Sequence, residues 1–254
     1  MATDRRGVET IDEAIAAMDV EVDRCLDSKD PCGYFAVVYR AVTDRVRQGI
    51  ADGEFDDGER MERFDVLFAQ RYLDACAGWH AGTPIPDAWQ LAFESGANGR
   101  HLVSQHLLLG INAHINLDLG VAAAAATQSG EVDELRDDFE QINDVLGELV
   151  DRMQDAIAAA SPWTRWVDVA GLRFDEALVT FSLRRARADA WDFATELSRL
   201  PPAERLAREE QRDRDVTRLG QLIVRPGVPV RWMVNLARLR ERHDLEGVLR
   251  SIGG

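Results

Sequence analysis

Between Leu107 and Ala126 the chain is too apolar for a surface helix, yet the overlapping stretch QHLLLGINAHINLDLG carries Gln105, His106, Asn112, His114, Asn116 and Asp118. Such side chains are costly to bury unless something binds them. A helix that is apolar on every side is itself buried. The rest of the chain must therefore wrap this segment and supply partners for its polar groups, or leave them to a ligand. Asn112, His114, Asn116 and Asp118 interrupt the run and no basic residues flank it, so it reads as a helix inside protein rather than a membrane span.

Projected at about 100° per residue from His106, Gly110 falls near 40°, His114 near 80° and Asp118 near 120°. Gln105, Asn112 and Asn116 gather on a roughly opposite side. His106 and His114 lie about 12 Å apart along the axis, too far to share one ion, whereas His114 and Asp118 are one turn apart. That pair can co-ligate a divalent metal. It can equally form a hydrogen bond in which the carboxylate fixes the imidazole tautomer and raises its basicity, as acid-base sites require. Gly110 removes a side chain between the two histidines and leaves a notch for a ligand or a closely packed helix.

The remaining pattern is helical throughout. Thr10-Ile-Asp-Glu13 has the form of a capping box and opens a helix to about Leu26, before Asp30-Pro-Cys-Gly33 ends it. A second helix is expected from about Tyr34 to Ala51, and a third from about Asp56–Glu59 to His80. A short one follows from Pro86 to Ser95, and the central helix runs from about Arg100 to Ala126. Beyond it the periodicity predicts helices over Val132–Ala160, Asp175–Leu200 and Pro202–Leu219, with short ones near Val230–Arg242 and Leu245–Ile252. No strand alternation or fixed-period repeat is present. The expected fold is all-α, a compact multi-helix bundle around the buried central helix (about 100–126). Linkers of a few residues favour a single domain over 1–254, with about 172–254 as a C-terminal helical extension that covers the central helix.

The third helix supplies the expected partner of the central one. Met61, Phe64, Phe68, Tyr72, Ala75 and Trp79 define its apolar face, and Asp65 and Tyr72, seven apart, project together. Arg71, at the edge of that face, is placed to neutralise Asp65 or to hold an anionic substrate group. Packed together, the two helices would bring Asp65, Tyr72, His114 and Asp118 into a mixed acid-base or metal site, with His106, Gly110, Asn112, Asn116 and Arg71 as ligand-binding positions. A structural network of buried hydrogen bonds is the rival account of the same residues. His80 and His101, at helix ends, read as capping or surface residues.

The formal net charge of -15 opposes nucleic-acid binding and would be repelled by an anionic membrane. The first residues lack the apolar core of a secretory signal, which places the expected location in the cytoplasm. Cys25, Cys32 and Cys76 are odd in number and without C-x-x-C spacing, so neither a disulfide framework nor a structural zinc site is indicated. Motifs of the serine-hydrolase, zincin, P-loop and di-iron kinds are missing. Asn143-Asp-Val-Leu-Gly-Glu-Leu-Val-Asp151 resembles the magnesium-binding pattern of class I terpene synthases. However, Asp137, Gln141, Asp144, Glu148, Asp151 and Asp155 form a single stripe opposite Leu135, Ile142, Leu149 and Met153, which is the pattern of a solvated face. His243-Asp244 has the dipeptide of metal-dependent phosphohydrolases without that family's other histidines. Arg184, Arg185 and Arg187, beside Trp191, read as a solvated helix face.

Asn112-Ala-His114-Ile-Asn116-Leu-Asp118-Leu, together with Phe64-Asp-Val-Leu-Phe-Ala-Gln-Arg-Tyr72, resembles a bacterial family described only as a domain of unknown function. The likeness covers about residues 10 to 240. It implies one unified domain and an important central segment, and it supplies no chemistry. The functional expectation is an enzyme acting on a small molecule, with His114 as general base or metal ligand, Asp118 orienting it or co-ligating, and Asp65 as a second carboxylate. The alternative is a non-catalytic binding or interaction protein in which the same groups hold the core together.

Overall fold

Thr10 caps the first helix as its spacing predicts, with the Glu13 backbone N–H donating to Thr10 Oγ1 at 3.2 Å. The Glu13 carboxylate takes the N–H of Glu9, at 2.8 Å, rather than that of Thr10. The computed structural model describes residues 7–97, 101–127, 132–142, 183–225 and 246–247, and among these every regular element is a helix. In order they are α1 (Ile11–Ser28), α2 (Gly33–Ala51), α3 (Gly58–Ala81), α4 (Asp87–Ala97) and α5 (Val103–Ala113). A π-helical turn (His114–Asp118), α6 (Leu119–Ala126), a 3-10 turn (Val132–Leu135), α7 (Leu183–Arg199) and α8 (Pro202–Val224) follow.

The predicted boundaries hold to within a few residues where the structure describes them, with one longer extension, in α8. Asp57 is the N-cap of α3, accepting from the Arg60 N–H at 2.9 Å. α8 runs five residues past the expected end near Leu219, to Val224. The long helix expected over 132–160 starts as the 3-10 turn and is helical over 136–142, where Asp137 and Gln141 are exposed as the acidic stripe requires. Asp144, Glu148, Asp151 and Asp155, the Asn143–Asp151 motif and His243-Asp244 lie outside the described residues.

α5, the π turn and α6 form one continuous central helix, Val103–Ala126. By length and composition it could cross a membrane, but 83% of its most apolar window is buried inside the protein. α2, α3, α4, α7 and α8 all pack on it, and α1 lies against α2 and α3. The π turn shows in the Leu119 N–H, which donates to the His114 carbonyl, five residues back. One residue more than an α turn is accommodated there, so the side chains depart from a regular spacing of about 100° at this turn.

Glycines permit the closest approaches. A Cβ on Gly110 would stand 2.5 Å from Cγ of Phe35, so the notch expected there is filled by a phenyl ring from α2. A Cβ on Gly120 would stand 2.7 Å from the Ala190 carbonyl and 2.7 Å from Phe193, where α7 crosses α6. Arg187 on α7 departs from expectation. It is buried, its guanidinium lies 4.4 Å from the Phe139 ring centroid, and it donates to the Phe139 carbonyl. The reason is its spacing with Ala190, Trp191 and Ala194, which puts it on the apolar side of α7, whereas Arg184 and Arg185 remain exposed. Burial lowers its pKa to about 9.

Helix propensity alone favours Gly110→Ala by about 1 kcal/mol. Overpacking against Phe35 reverses the sign, giving an expected net loss of about 2 kcal/mol in chemical denaturation, with the loss reduced in a Phe35→Leu background. An unchanged or higher midpoint for Gly110→Ala would show that the ring does not fill the notch.

Candidate functional site

The carboxylate of Asp118 is the most heavily committed polar group in the core, at 1% exposure. Arg71 Nε of α3 donates to its Oδ1 at 2.7 Å, and Trp89 Nε1 of α4 donates to its Oδ2 at 2.8 Å. His114 Nδ1, at the other end of the π turn, stands 3.5 Å from Oδ2, a long contact at the limit of a hydrogen bond. Burial pushes the Asp118 pKa up, but the Arg71 charge and the His114 contact outweigh it and hold the group below the ordinary aspartate value. Burial lowers the His114 pKa, with Asp118 opposing and Arg71 reinforcing, so the imidazole is neutral at neutral pH.

An aromatic shell surrounds His114. Its ring stacks on Phe68 at 3.6 Å between centroids and 11° between planes, and Tyr39 meets it at 4.1 Å. Phe35, Trp89 and Tyr72 stand at 5.5, 6.1 and 6.4 Å, within the usual range for ring contacts. Nε2 of His114 is buried with no hydrogen-bond partner. A cavity of about 10 Å³ beside Gly110, bounded by Phe35, Trp89 and His106, has room for roughly one water.

The opposite side of the central helix grips α8. Asn112 Nδ2 donates to the Val216 carbonyl at 3.0 Å, and Asn116 Nδ2 donates to Asn112 Oδ1 at 3.0 Å. Gln105 accepts from the Leu102 N–H at 3.1 Å and donates to the Ile223 carbonyl at 2.7 Å. Arg212 Nε of α8 returns a bond to the Asn116 carbonyl within the π turn, at 2.6 Å.

The expected residues thus divide into groups. His114, Asp118, Arg71 and Tyr72 come together around the π turn. Arg71 pairs with Asp118 rather than with Asp65. Gln105, Asn112 and Asn116 serve the α8 contact, and His106 borders the small cavity, meeting His101 ring to ring at 5.8 Å. Asp65 is buried with Oδ2 unpartnered. Burial and the nearby Glu62 raise its pKa to about 7. Tyr72 has its hydroxyl beside the Cys76 thiol.

Trp89 escaped the sequence reading because an indole on an apolar face looks like packing alone. Its one signal was that a buried indole N–H needs an acceptor. Among the described residues, no three His, Cys, Asp or Glu side chains converge to hold a metal ion. The divalent-metal expectation therefore has only the His114 and Asp118 pair behind it.

The sequence pattern of DUF5995, a family of unknown function, matches residues 11–226. The chain belongs to this family. No curated protein and no solved structure matches it. Membership in DUF5995 agrees with the resemblance drawn from the central segment and adds no activity to it.

Asp65 has a measurable consequence. Its folded pKa, about 7, lies above the ordinary 3.8, so between pH 4 and 7 the folded chain keeps a proton that the unfolded chain has released. Stability contributed by the neutral carboxyl is full below about pH 4, is lost as pH rises to about 7, and changes no further above that. Relative to Asp65→Asn, whose side chain does not titrate, the parent should lose on the order of 4 kcal/mol across this window in denaturation series at fixed ionic strength. Parallel curves for the two proteins would contradict it.

Proposed function

We propose that the protein is a non-catalytic helical binding or interaction protein, a single domain in which the polar residues of the central helix are a structural clamp. The observation that carries this reading is the engagement of those residues. Both oxygens of Asp118 are taken by Arg71 and Trp89, and the Gln105, Asn112 and Asn116 amides are consumed by α8 and by each other. The notch at Gly110 is filled by Phe35, and the adjoining cavity has room for roughly one water. Asp118 and the three amides thus have partners within the chain, as a core network demands.

A second reading, an enzyme acting on a small molecule with His114 as general base and Asp118 orienting it, has one observation in its favour. With Nδ1 facing a carboxylate, the neutral ring carries its lone pair on Nε2, and that atom has no hydrogen-bond partner. A bare basic nitrogen beside an orienting carboxylate is the arrangement that proton abstraction uses.

The two readings differ in what substitution does to stability. In the clamp, Asp118→Ala strands the Trp89 N–H and the Arg71 charge and should cost about 3 kcal/mol. Asn112→Ala should cost about 1 kcal/mol. Both are measured by urea denaturation of the purified chain. A site held together for chemistry tolerates or gains from loss of its charged group, so an Asp118→Ala protein as stable as the parent would overturn the clamp.

A further inference from the structure

Of the residues of α8, only Val216 and Gly220 are buried. Isolated helices are marginal, and helices in proteins draw most of their stability from an apolar face packed on a core. α8 has little such face and is held by directional bonds instead. Gln105 donates to the Ile223 carbonyl at 2.7 Å, Asn112 to the Val216 carbonyl at 3.0 Å, and Arg212 to the Asn116 carbonyl at 2.6 Å. Asp213 accepts from the Asp87 and Ala88 N–H groups at the start of α4, at 2.7 and 2.9 Å. Water can take over such bonds on separation, so their net contribution is far smaller than their number suggests.

The position of α8 gives this weak hold a meaning. The Asp118 side chain is 1% exposed and that of His114 3%, whereas the Arg71 side chain is 27% exposed. Arg71 is thus the edge by which this polar cluster reaches solvent. Glu209 of α8 is electrostatically coupled to both Arg71 and Asp118, and Arg212 reaches into the π turn itself. The link between α7 and α8 is Leu200 and Pro201, and across it the contacts are again directional, with Arg208 paired to Glu196 at 2.6 Å and Arg212 to Asp189. α7, by contrast, buries Ala186, Ala190, Trp191, Phe193, Ala194 and Leu197 and is anchored by apolar packing.

We propose that α8 is a detachable lid, which opens as a unit about Leu200–Pro201 while α7 and the central helix stay folded, and so uncovers Gln105, Asn112, Asn116 and the Arg71 edge of the Asp118 cluster. The lid rests on the clamp reading, since its latches are the amides of that clamp. Regions with few buried apolar contacts open locally with less free energy than global unfolding requires. Opening converts the sealed side of the central helix into a row of amide and guanidinium donors.

Native-state hydrogen exchange of the full chain, resolved by peptide, tests this. Backbone amides of α8 should exchange at least 100-fold faster than those of the central helix. In Gln105→Ala/Asn112→Ala protein, α8 should exchange about tenfold faster again, with α1 to α4 unchanged. Exchange of α8 at the rate of the central helix, or acceleration spread equally over α1 to α4, would overturn the lid. The denaturation result for Asp118→Ala bears on the clamp alone, so the two ideas fail separately.

Discussion

A carboxylate excluded from water is the constraint around which this fold is arranged. Ionised Asp118 inside a protein carries a desolvation penalty of several kcal/mol, offset only where charge and hydrogen bonds meet it in good geometry. Arg71 supplies the charge from α3, Trp89 a neutral donor from α4, and His114 a third contact from the same turn. Two other helices, α3 and α4, are thereby tied to one side chain of the central helix. Because an unmatched buried charge is so unfavourable, alternative packings of α3 or α4 on the central helix are disfavoured well beyond what their apolar contacts alone would require. Specificity of arrangement, more than net stability, is what such a group contributes.

The central helix meets its neighbours with different chemistry on its two sides. Toward α2 and α3 the contact is aromatic, with Phe35 seated on Gly110 and the His114 ring treated as one more flat apolar plate against Phe68. Toward α8 the contact is a set of amide-to-carbonyl bonds. Aromatic packing is lost steeply with separation, since dispersion falls off within a fraction of an ångström, whereas amides and carbonyls find water as soon as they part. The first side is therefore suited to permanence and the second to exchange.

Much of this was legible in the sequence. Helical spacing correctly gave an all-α chain, the burial of residues 103–126, the apolar face of α3 and the two-sided distribution of polar groups. Asp118 and Asn112 stood out because no surface account fits an aspartate or an asparagine amid leucines. What was not legible depends on contacts between distant segments. The spacing on α3 sets Arg71 near Asp65, and only the packing of α3 on the central helix decides that it meets Asp118 and leaves Asp65 without it. The Gly110 notch was visible, but not that Phe35 fills it. Arg187 differs, because its spacing with Ala190 and Trp191 does place it on the apolar side and only its charge points to solvent.

The π turn has a consequence for how this chain can tolerate change in length. The wide turn between His114 and Asp118 absorbs one surplus residue without turning the helix on either side of it. Losing a residue there would close it into an ordinary α turn and leave the two flanking stretches nearly in register, whereas a deletion in α5, which has no surplus to give up, would turn everything after it by roughly 100°. Gly120 would then no longer face the Ala190 carbonyl, and the alanines of α6 would present the wrong edge to α7. Tolerance of length change is thus concentrated at one turn of the central helix.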